Sequence, residues 1–205
     1  SMRLVRASTP ILASIADHEV TNDFSGGAPA ASDPRFGGPE PFINETPLYT
    51  NGIVAFHEWH PIDVETYGAT GSPPTDGQRT LYRSRWYGSD AAIHVLDARS
   101  FRDAGLTPAD PTNPADIGRF VAESFDPSRT MLGRVQVEEL KADLLATKNA
   151  GIRWKFVVVP EPIQNLGVAA ASDRFEGYAA ERTEILSFID DNDISNVVFV
   201  AADIH

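Results

Sequence analysis

Two ionisable residues with a spacing of two, Asp203 and His205, close the chain directly after the apolar run Val197 to Ala201. In a β-strand, residues two apart point to the same face, so the carboxylate and the imidazole project together if strand geometry persists past Ala202. Open α/β sheets place their ligands at the carboxyl ends of strands. Oxygen and nitrogen donors suit a transition-metal or mixed-metal site. The alternative is an ordinary strand that runs into a polar turn.

A second group of ionisable residues, Asp17-His18-Glu19, follows the apolar run Ile11 to Ile15, for which we predict a strand. Three such groups in a row at a strand end are hard to explain as part of a core. The functional interpretation makes Asp17 a metal ligand and His18 an acid or base beside it. The alternative is a helix N-terminus, which favours acidic residues.

An arginine, Arg99, follows another predicted strand, Ala91 to Leu96. The planar guanidinium of arginine can hold a phosphate through two hydrogen bonds, and Asp97 could orient it. The alternative is a surface ion pair. The segment His57 to His60 reads H-E-x-H, which lacks the H-E-x-x-H spacing that places two zinc-binding histidines on one helical face.

Composition excludes several classes of function. The 205 residues are 42% apolar, which is enough for one sizeable core, and no run is long enough to span a bilayer. A formal net charge of −12 disfavours binding to a nucleic-acid backbone. The absence of cysteine excludes disulfides, thiolate metal ligands and a cysteine nucleophile within this sequence.

The order of predicted elements indicates an α/β layered fold. Buried strands are predicted at 91–96 and 156–159, and amphipathic helices at 134–150 and 178–190. Residues 21–80 are rich in Gly, Pro, Asn and Thr, which predicts a long connection with one helix. Connections of this length inside a domain are often functional.

Several motifs in order resemble the PhoD-like alkaline phosphatase and phosphodiesterase family of the metallophosphoesterase superfamily. They are Asp17 to Val20, Tyr82 to Ser84, Leu96 to Arg102, Thr130 to Gly133 with Gln136, Trp154 to Val157, Phe175 to Tyr178 with Glu181 and Arg182, and Asn196 to Phe199 followed by Asp203 to His205. The resemblance covers the chain from about Leu12 onward. It implies layered mixed β-sheets flanked by helices, in an αββα sandwich.

The resemblance also implies metal-dependent hydrolysis of small phosphate esters, with a metal-activated water as nucleophile. It suggests calcium and iron as the metals, with manganese or zinc as further possibilities, and export to the periplasm or the outside of the cell. By position, Asp17, Asp203 and His205 fall on metal ligands. His18 falls on the histidine that contacts phosphate or protonates the leaving group, and Arg99 on the most plausible phosphate contact.

Two departures from the family pattern shape these expectations. The first metal-ligand segments of the family have no counterpart here, so we expect residues 1–205 to form a single partial catalytic domain with a loop-rich insertion at 22–80. Alone, this chain is expected to bind metal weakly and to be inactive. Ala202 also stands where the family has glycine. The alternatives are a phospholipase-type phosphodiesterase and a non-catalytic binding module that retains the fold.

Overall fold

The central feature of the fold is a four-stranded mixed sheet. The computed structural model describes residues 2–169 and 171–202. Two short strands, β1 (Glu65–Thr66) and β2 (Arg79–Thr80), pair as an antiparallel ribbon, and the sheet contains β3 (Arg83–Tyr87), β4 (Ala91–Val95), β5 (Trp154–Val159) and β6 (Val197–Ala201) in that spatial order. The predicted strands at 91–96 and 156–159 and the apolar run before Asp203 are therefore strands of one sheet.

Strand direction brings the segments after β4, β5 and β6 to the same edge of the sheet. β3 runs antiparallel to β4, whereas β4, β5 and β6 are parallel. The pairing of the last two strands continues past their ends, because the N–H of Ala202 donates to the carbonyl of Pro160 at 3.0 Å. Asp203 and His205 themselves lie outside the described residues.

In the part of the chain that the structure describes, five α-helices accompany the strands: α1 (Met2–Ser8), α2 (Pro47–Trp59), α3 (Pro114–Ser124), α4 (Arg134–Asn149) and α5 (Ala179–Asp191). The predicted helices at 134–150 and 178–190 correspond to α4 and α5. The connection at 21–80 contains one α-helix, α2, as predicted. Within the described residues, no helix is both long enough and apolar enough to cross a bilayer.

The main core lies between the sheet and the two helices α4 and α5. Leu140 and Leu144 of α4 are fully buried and share one hydrophobic cluster with Val157 and Val159 of β5 and with Ile185 of α5. The spacing of four between the two leucines places both on one helical face, as the sequence predicts. The layered α/β architecture expected from the sequence is confirmed.

The loop-rich segment has a core of its own. Phe24, Phe36 and Ile43 are buried against Tyr49 and Ile53 of α2. The hydroxyl oxygen of Thr46 caps the helix, and proline occupies its first turn, where a missing N–H costs nothing. Residues 21–80 are therefore packed rather than loose, although most of them lie outside regular elements.

Two local predictions were wrong or incomplete. Residues 11–15 do not form a strand, because they have no strand partner among the described residues, and Ile15 packs instead into the core of the loop-rich segment. Helix α3 was not predicted from the sequence. Its start is marked by Asn113, whose side chain accepts the N–H of Ala115, and by Pro114 in the first turn.

A surface network between α4 and α5 gives a testable pH dependence. Hydrogen bonds from Arg134 and then from Lys141 lower the pKa of Glu184 from 4.5 to about 2. A depressed carboxyl pKa stabilises the fold above pH 4.5, and this contribution is lost as the pH falls toward 2. Since the side chain is one-third exposed, we expect Glu184→Gln to lower the free energy of unfolding by about 1 kcal/mol at pH 7.

Urea unfolding of wild type and Glu184→Gln at pH 7 and pH 2 measures this difference in stability. The difference should be much smaller at pH 2, where a carboxyl group with a pKa of about 2 is half protonated even in the folded protein. Glu123→Gln is the matched control, because Glu123 pairs with Arg119 on a more exposed helical surface. A difference of the same size at both pH values would show that the ionised carboxylate of Glu184 is not the cause.

Candidate active site

Asp17 is a buried carboxylate in a tight turn. Only 4% of the residue is exposed, and its Oδ2 accepts the N–H of Asp23 at 2.8 Å. Burial alone would raise the pKa of Asp17, but this hydrogen bond and the charge of Arg99 outweigh burial and hold the pKa below 3.8. Asp17 is therefore ionised at neutral pH, as a metal ligand must be.

His18 is the accessible partner of this carboxylate. Its side chain is 72% exposed, and its Nε2 lies 3.7 Å from Oδ2 of Asp17. The same nitrogen lies 3.0 Å from Oδ1 of Asn22, so the ring has a defined orientation. Residues 17–23 form turns, and no helix begins there, which excludes the alternative of a helix N-terminus for this acidic segment.

Arg99 lies in the turn after β4 and is fully buried. Its Nε lies 2.8 Å from Oε1 of Glu161, and its terminal nitrogens donate to the two oxygens of Asp173 at 2.9 and 2.6 Å. The arginine therefore pairs with carboxylates, but in the interior rather than at the surface. Burial and the neighbouring Arg102 lower the pKa of Arg99, and the two carboxylates more than offset them.

The side chain of Asp97 orients this turn by binding the main chain of the turn. Its Oδ1 accepts the N–H groups of Arg99 and Ser100, both at 2.9 Å. The Gln136 side chain completes the turn from α4, because its amide accepts the N–H of Asp97 at 2.8 Å and donates to the carbonyl of Asp97 at 2.7 Å. Asp97 thus acts on the main chain that carries Arg99, whereas Glu161 and Asp173 act on the guanidinium.

A second buried arginine completes a charge cluster, which we define as Arg99, Arg102, Glu161 and Asp173. Arg102 is also fully buried, and its Nη2 lies 3.1 Å from Oδ1 of Asp173. Its Nη1 lies 3.7 Å from Oε1 of Glu161. Burial raises the pKa of Glu161 to about 7, against the opposing effect of the two arginines. Two buried cations thus face the buried carboxyl group of Glu161 and the partly exposed carboxylate of Asp173.

Tyr178, just before α5, contacts the charge cluster through Arg102. Its hydroxyl accepts hydrogen bonds from Nε and Nη2 of Arg102 and donates to the carbonyl of Asp103 at 2.7 Å. The guanidinium carbons of Arg102 and Arg129 lie 5.1 and 4.9 Å from the centre of its ring. Both distances are within the range of cation–π attraction.

The loop-rich segment is attached to the same turn. The N–H groups of Gly26 and Gly27 donate to the carbonyls of Arg99 and Arg102 at 2.8 and 3.0 Å. The Asn44 side chain donates to the carbonyl of Ser100 at 3.0 Å. A Cβ on Gly26 would clash with this same carbonyl, so only glycine permits the approach. Through these contacts, the segment that begins beside His18 is held against the Arg99 turn.

The structure thus brings together part of the predicted site. Asp17 and His18 are adjacent, and Arg99 is close enough to lower the pKa of Asp17. Asp203 and His205 stay predictions, because they lie outside the described residues. Among the described residues, no group of three or more side chains could by itself hold a metal ion. The carboxylate of Asp17 fits such an ion as one ligand.

Sequence reasoning missed the two carboxylates that hold Arg99. Glu161 could have been found, because it follows β5 after Pro160 at the same edge of the sheet as the Arg99 turn. Asp173 could not, since it lies in an irregular segment between β5 and α5, with no local pattern that marks it.

These elements define a mixed α/β fold in which the buried Arg99 and Glu161 follow the carboxyl ends of the parallel strands β4 and β5. The chain belongs to the PhoD-like phosphatase family, whose model matches residues 1–205.

Two relatives are similar to this chain over nearly all of its length. Alkaline phosphatase D of Bacillus subtilis (strain 168) is 27% identical over 214 residues, which cover 100% of this chain and 32% of that protein. A solved structure of PhoD has a TM-score of 0.66 and 26% identity, and the match covers 93% of this chain and 33% of that chain. The chain therefore spans about a third of the length of the relatives that it matches.

Proposed function

We propose that this protein is a metal-dependent hydrolase of small phosphate esters, with the site at the carboxyl ends of β4, β5 and β6. The observation that carries the proposal is the pair formed by Asp17 and His18, a buried ionised carboxylate beside an exposed imidazole. Membership of the PhoD-like phosphatase family supports the same reaction class. The curated relative is named an alkaline phosphatase.

Metal binding would depend on Asp17 together with Asp203 and His205. Asp17 is suited to this role, because its charge is retained despite burial and one of its oxygens is fixed by the N–H of Asp23. Bound metal ions would activate a water molecule and neutralise charge on the phosphoryl oxygens. The suggestion of calcium and iron, with manganese or zinc as other candidates, rests on the family resemblance alone.

His18 would donate a proton to the oxygen of the leaving group. Its exposure gives a substrate access to the ring, and the contact with Asn22 restricts the orientation of the imidazole. Arg99 would supply fixed positive charge for the equatorial oxygens of the phosphoryl group, an electrostatic contribution that is strong in a water-excluded site. The carboxyl groups of Glu161 and Asp173 contact this guanidinium and favour its charged form.

The test compares two substrates in the protein at its natural full length. We expect His18→Ala to lower kcat/KM for an alkyl phosphate by about 100-fold, because an alkoxide needs a proton to depart. The loss with p-nitrophenyl phosphate should be much smaller, since nitrophenolate leaves without protonation. His60→Ala is the matched control, because His60 lies at the end of α2 and its ring contacts Phe56 rather than the proposed site residues.

An unchanged rate with the alkyl ester would refute the role of His18. A protein that hydrolyses neither monoesters nor diesters with any of the candidate metals would instead support a non-catalytic binding module. The ratio of monoester to diester turnover separates a phosphatase from a phospholipase-type phosphodiesterase.

A further inference from the structure

We propose that Arg35 and Asp33 are positioning residues, which hold the turn at residues 17–23 so that the imidazole of His18 meets the leaving group in one orientation. The inference rests on the proposed function and deepens it, because it adds two residues to the proton-transfer step. Neither residue belongs to the motifs that predict the site, and neither is placed in contact with the substrate.

The guanidinium of Arg35 reaches the turn that carries His18. Its Nη1 donates to the main-chain carbonyl of Asn22 at 2.6 Å and to the hydroxyl of Thr21 at 3.3 Å. The side chain of the same Asn22 places its Oδ1 3.0 Å from Nε2 of His18. Asn22 therefore connects the guanidinium to the imidazole, and a shift of its main chain would move the oxygen that orients the ring.

Asp33 fixes the plane of this guanidinium. The Nε of Arg35 lies 3.0 Å from both carboxylate oxygens of Asp33, and its Nη2 donates to Oδ2 at 2.6 Å. Paired hydrogen bonds from an arginine to a carboxylate define direction as well as position. These bonds also lower the pKa of Asp33, so its carboxylate is ionised at neutral pH. With Nε and Nη2 held in this way, the direction of Nη1 toward Asn22 is fixed.

The segment that presents Arg35 is itself anchored. The N–H of Phe36 donates to the carbonyl of Asp33 at 3.0 Å, and the N–H of Arg35 donates to Oδ1 of Asp33 at 3.0 Å. Asp33 followed by Pro34 is a typical start for such a turn. Phe36 is buried in the core of the loop-rich segment, where its ring centre lies 6.3 Å from that of Phe24. Arg35 therefore extends from a turn that is tied to the core.

The turn at residues 17–23 has features that make an outside contact useful. Asp23 has a φ of 51°, in the left-handed region that residues other than glycine rarely adopt, while its N–H donates to Asp17. His18 and Asn22 are exposed, so burial does not hold their side chains in place. The side chain of Arg35 is itself 43% exposed, and ion pairs of such exposure stabilise proteins only weakly. An effect of Arg35 on catalysis can therefore be measured without loss of the fold.

The experiment compares ethyl phosphate with p-nitrophenyl phosphate in the protein at its natural full length, loaded with the candidate metal that gives the wild type its highest activity. We expect Arg35→Ala to lower kcat for ethyl phosphate about 10-fold, the usual effect of losing a residue that orients a reacting group. KM should stay within about twofold, and so should kcat for p-nitrophenyl phosphate, since nitrophenolate leaves without the proton of His18.

Arg119→Ala is the matched control for this variant. The guanidinium of Arg119 also binds carboxylates, those of Asp116 and Glu123, and it also donates to a main-chain carbonyl, that of Thr107. None of these groups belongs to the turn at residues 17–23 or contacts His18. Arg119→Ala should therefore leave kcat unchanged with both substrates.

Arg35→Lys separates the geometry of the side chain from its charge. Lysine keeps the positive charge but lacks the planar fork that binds Asp33 and Asn22 together, so kcat for ethyl phosphate should stay close to that of Arg35→Ala. Wild-type activity in Arg35→Lys would show that charge alone is sufficient, which overturns the inference. Equal losses with both substrates would place Arg35 on the phosphoryl group itself and would also overturn it.

A double-mutant cycle tests whether Arg35 acts through His18. With His18→Ala already present, Arg35→Ala should change kcat for ethyl phosphate by less than about twofold, because the residue through which it acts is gone. The same factor in both backgrounds would contradict the positioning role. Asp33→Asn weakens the hold on the guanidinium from the other end, and it should give a smaller loss that is again confined to ethyl phosphate.

Failure of the inference can be told apart from failure of the proposed function. Wild-type protein that hydrolyses both esters and loses activity with His18→Ala, but not with Arg35→Ala, refutes the positioning role alone. Wild-type protein that hydrolyses neither ester, or that is unaffected by His18→Ala, refutes the proposed function or the role of His18 and the inference with it.

Discussion

Asp17→Ala is expected to lower kcat/KM for phosphate esters by at least about 1,000-fold in the protein at its natural full length. The substitution removes a ligand of the proposed metal site. Metal assistance contributes several kcal/mol to transition-state stabilisation, at about 1.4 kcal/mol for each factor of ten. Metal content after dialysis should fall in parallel with activity.

Asp17→Asn is the informative companion to this variant. The amide keeps an oxygen that can bind a metal ion and accept the N–H of Asp23, so we expect it to retain far more activity than alanine. Asp17→Ala also leaves that N–H without its partner, at a cost of about 1–2 kcal/mol in stability. Rates must therefore be compared well below the melting temperature of the weaker variant. Equal losses in both variants would argue against an oxygen ligand at this position.

Glu181→Ala is expected to lower the free energy of unfolding by about 4 kcal/mol, the largest effect on stability that we anticipate. The buried Glu181 carboxylate accepts the hydroxyl of Thr130 and the N–H groups of Met131 and Leu132, the latter two at 3.0 Å. Each buried donor that loses its acceptor costs about 1–3 kcal/mol. Denaturant unfolding monitored by circular dichroism measures the loss.

The isosteric variant Glu181→Gln serves as the control, because its amide oxygen can still accept both backbone N–H groups. Burial raises the pKa of Glu181, so loss of the negative charge itself should cost little. We expect Glu181→Gln to lose less than half as much stability as alanine. Similar losses in the two variants would mean that charge, and not the hydrogen bonds to the 130–132 turn, is what this position contributes.

The parts of the fold that could be predicted are those with a strong local pattern. The face of Leu140 and Leu144 on α4 follows directly from their spacing, and Gly151 with φ of 73° ends the helix as expected. The buried strands β4 and β5 were recognisable as continuous apolar runs. In each case the residues of one short segment carry enough information to specify its structure.

The rest depends on contacts between distant segments, which spacing does not reveal. Ile11 to Ile15 is apolar enough for a strand, yet it has no strand to pair with among the described residues. The environment of Arg99 is set by Glu161 and Asp173, which lie 62 and 74 residues further along the chain. Local sequence marks Arg99 as a candidate anion ligand, but only the fold shows that its guanidinium is enclosed by carboxylates.

The outer edge of β6 affects how this chain would behave in solution. In the described part of the chain, β6 has a neighbour on one side only, and Val197 to Ala201 contains neither a charge nor a proline. An open edge of this kind can recruit strands from other molecules, the first step toward intermolecular β-structure. At high concentration, residues 1–205 alone would therefore be expected to associate through this edge. Their solubility would then limit measurements of their chemistry.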